Sequence, residues 1–533
     1  MLDVLIRGGR VADGTGNPIH PADVALEGDR IVAVERLDGA SAERVIDATG
    51  KIVCPGFVDV NGHSDWSMFS NPTFESTIRQ GVTTEIAGNC GNGFAPATDA
   101  SRPFIESRLR EFAYEGEVAW TDFASYLKAV ASLRPSSNLG FMVGHNTLRY
   151  AAGVERDPTE DQMVEMEGFV REAMDAGAYG FSSGLEFEPG RHSGTEELVR
   201  LAPVAGAQGG WHSSHIRNRD QFLQEAVEEF LTVVRRSGCR GELLHLNVRH
   251  RSGAADGAWE RAVRTLEASR SAGLDVLTDT TPYPFGTGMM AAILPDWLFE
   301  GGVAGALERL RDRQVRRRLR GDCDRYWRFI HKGEWDRVRL QGSPDFPELN
   351  GLNFVEISEA WHQDPWDCYF DILAASGPRM ESVQLIGTLF TEAHLAEMIA
   401  HPLFMLSADT FSSRAEGPLA RVLQHPLPYA GHIHFLTHHV RARGTLRLED
   451  AIRKLTSMPA RHYGLPDRGL LRPGCAADVV VFDFEKLEDV STMEKPAAYA
   501  RGVEHVFVNG VAVVDGGEHT GARPGRILRR PPR

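Results

Sequence analysis

Between residues 56 and 445, short apolar runs alternate with helical stretches about eight times, and this rhythm constrains the fold more than any other feature. The runs are Phe57–Val60, Thr83–Ala87, Leu139–His145, Tyr179–Ser183, Trp211–His215, Glu242–His245, Val276–Asp279 and Leu403–Asp409. Amphipathic segments such as Asp161–Ala176 fall between them. Strands alternating with helices indicate a parallel sheet, and about eight such units indicate a (β/α)8 barrel. Residues 1–52 and 450–533 instead carry short β-branched runs with Gly, Asp and Asn turns, among them a hairpin at Asn509-Gly510. The expected division is a small β domain from 1–55 plus 446–533, and a barrel over 56–445. The rhythm breaks near 290–360, where an Arg-rich helix over Leu307–Arg320 and an irregular stretch bearing Trp327 and Trp335 suggest an insertion over the barrel mouth.

A formal charge of −15 argues against a nucleic-acid partner, which ordinarily demands a basic patch. The basic run from Arg526 to Arg533 is too short to reverse that and reads as a solvated tail. Six cysteines without paired spacing fit a reducing compartment. No basic start precedes an apolar stretch, and no run approaches a membrane span. The expectation is a soluble cytoplasmic protein with a small-molecule substrate, no membrane partner, and a homo-oligomer left open.

Four residues close apolar runs at strand C-terminal ends, where chemistry sits in a parallel barrel: Cys90, His215, His245 and Asp409. Each alone has a bland reading. A single Cys is ordinarily a small buried hydrophobe, a strand-end His a satisfied core residue, and Asp409 a helix N-cap before Thr410-Phe411-Ser412-Ser413. Together they are what a hydrolytic zinc site requires, namely three ligands, an open position and a base. Thiolate with imidazole favours zinc over magnesium or calcium. Asp409 would take a proton from water activated there and deliver it to the leaving nitrogen.

Specific motifs then carry a resemblance. Pro55-Gly56-Phe57-Val58-Asp59-Val60-Asn61-Gly62-His63 resembles the first-strand motif of the amidohydrolase superfamily. Ala87-Gly88-Asn89-Cys90-Gly91 resembles, more narrowly, the N-acyl-D-amino-acid deacylase (D-aminoacylase) family, as do Gly144–Arg149, Ser183–Glu186, Ser214–Asn218, Pro282–Pro284 and several C-terminal motifs. The resemblance spans nearly the whole chain. It implies a distorted (β/α)8 TIM barrel with a small β-sandwich from both termini. It also implies a zinc-dependent amide hydrolase acting on an N-acyl amino acid or related amide, with one tight zinc on Cys90, His215 and His245 and with Asp409 as the base.

The chain departs from that family at several positions. The usual His-x-His of the first strand is Asn61-Gly62-His63, so a second metal site should be weak or empty, with His63 a weak ligand, a substrate contact or a hydrogen-bond partner of Asp409. The usual Lys after the second ligating His is replaced at Asn247, the usual Tyr after Glu186 is Phe187, and His425-Pro426 is followed by Leu427 rather than Arg. Tyr283 is kept. The expected substrate-binding set is therefore Tyr283, Asn247, Phe187 and Asn61, with a weakened carboxylate site. Arg249, His250 and Arg251 read as a solvated basic loop. His212, three residues before His215 on a strand, should face away from it. The rival readings are a cyclic amide or imide hydrolase of the same superfamily and a non-catalytic barrel-fold binding protein.

Overall fold

The computed structural model describes residues 2–324, 326–343 and 345–530. Its centre is a barrel of eight parallel strands: β1 (Phe57–Asp59), β2 (Val82–Ala87), β3 (Asn138–Gly144), β4 (Gly180–Gly184), β5 (Trp211–His215), β6 (Arg240–Leu243), β7 (Val276–Thr280) and β8 (Phe404–Leu406). Nearly every residue of these strands is buried, because helices cover the outside and side chains fill the inside. That is why they read as apolar runs without alternation. β8 returns to β1 through the Asp59 carboxylate, which accepts from Ala408 N at 3.1 Å, and through a parallel bridge of Gly62 with Thr410.

The outer helices follow their apolar spacing. Glu160–Asp175 starts one residue earlier than its pattern suggests, because the Thr159 side chain caps it and Gln162 closes the capping box. Such a cap contributes about 1 kcal/mol. Met163, Met166, Val170, Ala173 and Met174 form its buried face. The Arg-rich stretch is two helices, Gly302–Arg309 and Arg313–Asp322, since Asp312 caps a new helix in mid-run.

The two flanks build one nine-stranded sheet, in which Val479–Phe482 lies between Ile52–Pro55 and Val503–Val508. Val479 and Val481 join a core with Val4, Ile6, Val24, Leu26 and Phe507. Val480 and Phe482 face the opposite way, into the core shared with the barrel. A strand covered on both faces is apolar at every position. The turn between the last long strands has Asn509 at φ 48° and Gly510 at φ 82°, as a tight hairpin requires.

The C-terminal segment is divided between the two parts. Helices Leu448–Leu455 and Ser457–His462 pack on β1 and β8. Met458 and Tyr463 plug the barrel interior beside Trp211, Tyr179 and Met405. The basic tail is docked rather than solvated. Leu139 N donates to Arg526 O and Leu528 N to Leu139 O, and Arg526 pairs with Asp29. These are backbone pairings that composition does not announce. Pro531, Pro532 and Arg533 lie outside the described residues.

The insertion is wider than 290–360. It runs between β7 and β8 and contains a three-stranded antiparallel sheet of Phe285–Met289, Val338–Gly342 and Gln384–Thr388. All three strands are short and Gly-bearing, and the first pairs with the last across roughly a hundred residues of chain, so no local pattern marks them. The insertion rests on the loop after β6. Arg328 donates to Ser252 O, and the Tyr326 ring lies 4.7 Å from the Arg249 guanidinium.

Candidate metal centre and active site

Cys90, His215, His245 and Asp409 converge at the C-terminal mouth of the barrel. His215 ends β5, while Cys90, His245 and Asp409 stand in the turns just beyond β2, β6 and β8. Three of them occupy the left-handed region: Cys90 at φ 52°, His245 at φ 38° and Asp409 at φ 52°. Such a conformation is costly for residues other than Gly, and it persists where the surroundings impose it. For His245 the constraint is visible, since its backbone N–H donates to the buried Asp279 carboxylate at 2.5 Å. Around Cys90 the backbones are closely packed. A Cβ on Gly184 would stand 2.0 Å from the Cys90 carbonyl oxygen. Asp409 caps no helix; Phe411–Glu416 is irregular.

Cys90 Sγ lies 3.8 Å from His215 Nδ1 and 3.9 Å from His245 Nε2. Ligands of a tetrahedral zinc at ordinary bond lengths sit about 3.6 Å apart, sulfur to nitrogen. The three ligand atoms lie within 4.8 Å of one another. Burial pushes the Cys90 thiol well above its ordinary range, and the Asp409 charge adds to this. Burial, then Arg219, lowers His215 to about 4, and the same causes hold His245 well below its ordinary value. Two neutral imidazoles and a thiol that needs a nearby cation to ionise are a donor set suited to a soft divalent metal.

Glu186 organises the outer side. His215 Nε2 lies 2.7 Å from Glu186 Oε2, which orients the ring with Nδ1 toward Cys90. Arg249 grips the same carboxylate twice, at 2.6 and 3.0 Å, and contacts Asp220 at 3.3 Å. Burial works against ionisation of Glu186, but Arg249, Arg219 and His215 overcome it and hold the carboxyl well below its usual range. Arg249 is thus a fully buried ion-pair partner, not part of a solvated loop. Its neighbours' polarity masked this, because a buried Arg is indistinguishable from a surface one without its partner. Arg219 was not singled out by sequence at all. Its Nη1 lies 2.9 Å from His245 Nδ1, and its Nη2 lies 3.0 Å from Glu186 Oε2 and 3.1 Å from His215 Nε2.

Asp409 Oδ1 lies 3.2 Å from His63 Nε2 and Oδ2 lies 3.8 Å from His245 Nε2, with 30% of its side chain exposed to the mouth. His63, Cys90 and Asp409 form a second potential ligand group that shares the thiol. The Asn61 amide lies 3.4 Å from Asp279 Oδ2, and its Oδ1 is without a partner. Phe187 packs on the His215 ring at 4.4 Å. Asn247 donates to His245 O, leaving its buried Oδ1 unpartnered. The buried Tyr283 hydroxyl also lacks a partner, and its ring lies 5.7 Å from His425, whose Nε2 is likewise unpartnered. His212 faces outward, stacked between Phe181 and Phe230.

Fold and site together are those of a metal-dependent barrel hydrolase. The chain belongs to the amidohydrolase family, whose model matches residues 44–320 and 418–514. It is 34% identical to the N-acyl-D-glutamate deacylase of Alcaligenes xylosoxydans xylosoxydans, over 99% of this chain and 97% of that protein. Among solved structures it is similar to a Bordetella bronchiseptica N-acyl-D-glutamate deacylase complexed with zinc and a phosphonate mimic of the tetrahedral intermediate (TM-score 0.79, 30% identity, 99% of both chains). It is also similar to a D-aminoacylase studied for its binuclear metal centre, with one-metal activation and second-metal attenuation (TM-score 0.81, 29% identity, 99% of this chain and 100% of that one). The protein is a hydrolase of carbon–nitrogen bonds other than peptide bonds. Among the described residues, no helix is long and apolar enough to cross a membrane.

Proposed function

We propose that this enzyme cleaves N-acyl-D-amino acids or closely related N-acyl amides, with one zinc held by Cys90, His215 and His245. The convergence of Cys90 Sγ on His215 Nδ1 and His245 Nε2, beside a half-exposed carboxylate, carries this reading. The ion, when bound, supplies water acid enough to act as a nucleophile at neutral pH and polarises the substrate carbonyl. Asp409 takes the proton from the attacking water and passes it to the leaving nitrogen. His63 aligns the Asp409 carboxylate through the 3.2 Å contact. A second ion on His63, Cys90 and Asp409 would occupy the base, so it would slow the reaction.

The amine side of the substrate is met by neutral groups. Arg219 and Arg249 are committed to Glu186, and Asn247 and Phe187 bring no charge. The unpartnered Tyr283 hydroxyl and His425 Nε2 are the polar atoms left to greet it, with Asn247 Oδ1 beside the metal ligand and Phe187 as an apolar wall. Asn61 lies too deep to serve as more than a support for Asp279. Six buried, unpaired cysteines support a cytoplasmic setting. The test is hydrolysis of N-acetyl-D-glutamate and neutral N-acetyl-D-amino acids beside their L forms and their primary amides. Zinc-dependent turnover of D substrates supports the reading. Turnover restricted to cyclic imides, or none with any acyl amide, sinks it.

A further inference from the structure

Outside the Cys90 centre, three more imidazoles gather on one helix face. Helix Leu427–His434 continues into a π-helical stretch, Phe435–Ala442. The wider π turn brings positions i+4 and i+5 together over position i, and such turns are frequent at functional sites. Here those positions are His434, His438 and His439, each offering a ligand atom within 4.8 Å of the others. The His434 and His438 rings stack at 4.7 Å, and His438 meets His439 edge-on at 4.8 Å.

Each ring is anchored by one nitrogen to an acceptor from a different part of the chain. His434 Nδ1 bonds Asp489 of the C-terminal segment. His438 Nε2 lies 3.2 Å from Glu392, at the start of helix Glu392–Ala400. His439 Nε2 donates to Pro282 O at 2.8 Å, beyond β7. Metal-ligating histidines ordinarily give their outer N–H to a carboxylate or carbonyl in this way, which fixes the ring and directs the other nitrogen at the ion. His439 Nδ1, the nitrogen so directed, is buried and has no partner. Arg443 lies 3.6 Å from Glu392, which offsets its charge.

We propose that His434, His438 and His439 form an accessory site for one divalent transition-metal ion, separate from the Cys90 centre. Three imidazoles without a thiol suit zinc, cobalt, nickel or copper and disfavour magnesium and calcium. His434 and His438 are half-buried, so the ion has a path from solvent. The site bears on the reaction through Tyr283. Its ring stacks on His434 at 4.1 Å, and it shares an apolar cluster with Ala408 and Leu427, next to Asp409. An ion there would hold the Tyr283 wall of the substrate pocket in place.

The test uses the full chain carrying Cys90→Ala, which removes the thiol common to both ligand groups at the barrel mouth. Zinc is titrated into it by calorimetry, and the melting temperature is followed. The expected result is about one zinc per chain with a rise in Tm. Adding His438→Ala or, separately, His434→Gln should weaken that binding about tenfold or more and abolish the Tm rise. The metal-free Tm of the half-exposed His438→Ala variant should stay near that of its parent, which separates loss of a ligand from loss of fold. A Cys90→Ala chain that binds no zinc overturns the proposal. So does zinc binding that both histidine substitutions leave unchanged, which would place the ion on His215 and His245 instead.

Discussion

Arg219 Nη1 lies 2.9 Å from His245 Nδ1, on the side of the imidazole opposite Cys90. A guanidinium only donates, so His245 accepts at Nδ1 and its hydrogen sits on Nε2, facing the thiol. Ligation through Nε2 requires the other tautomer, and therefore requires Arg219 to withdraw. Its positive charge also opposes a nearby cation. Arg219→Gln is expected to bind zinc about tenfold more tightly, read by competition with a chromogenic chelator. Affinity that falls in this variant would mean that Arg219 supports the site instead.

The metal and proton roles separate by substitution. Cys90→Ala and His245→Ala are expected to lose both the mouth zinc and turnover. Asp409→Asn should keep the zinc and lose about 10²- to 10⁴-fold in kcat. Metal analysis beside steady-state rates checks this. An Asp409→Asn enzyme with near-normal kcat would remove Asp409 as the base.

The buried Glu186 accepts from His215, Arg219 and Arg249 at once. Glu186→Gln leaves two buried guanidinium groups short of charge and frees the His215 ring. Breaking such a buried pair costs about 3–5 kcal/mol, and loss of an outer ligand partner costs about 10- to 100-fold in metal affinity. Urea unfolding and zinc titration of the variant test the two effects independently. A variant as stable as the parent would show that Asp220 suffices for Arg249.

Acid acts on two opposed sets of buried groups: burial raises Asp65 and Asp279 to about 7 and Glu85 to about 8, which favours the folded state as pH falls, while the buried neutral imidazoles oppose it. Burial lowers His212 and His462 to about 4 and His425 to about 3, from an ordinary 6.5. Below pH 6.5 the unfolded chain takes up protons at these positions while the folded chain does not. Their stabilising contribution is thus whole above 6.5 and declines as pH falls, until the folded values are reached. Each such group changes stability by about 1.4 kcal/mol per pH unit. Between pH 6.5 and 4.5 the urea midpoint of the parent should lose ground relative to that of His212→Phe, which lacks one of these imidazoles. A parent and a His212→Phe variant with the same pH dependence would contradict the burial of a neutral His212.

Much of this architecture was legible in the residues. A strand buried on both faces must be apolar throughout, so β1 to β8 announced themselves, and with them the turns where Cys90, His215, His245 and Asp409 stand. The chemistry proposed for those positions rests on residue type. The outer partners were not legible. Glu186, Arg219 and Arg249 come from three separate loops, and nothing local distinguishes a buried, paired arginine from a solvated one. The insertion sheet was hidden for the same reason: Phe285–Met289 finds Gln384–Thr388 across a long stretch of chain. The sequence by itself determined the barrel, the terminal β domain and the candidate groups at the barrel mouth, because periodicity and side-chain chemistry are local properties. Only the tertiary structure decided that Arg219 sits on His245, that the basic tail docks under β3, and that three histidines of one π turn meet Asp489, Glu392 and Pro282. Each of these is a contact between distant segments, which sequence spacing does not encode.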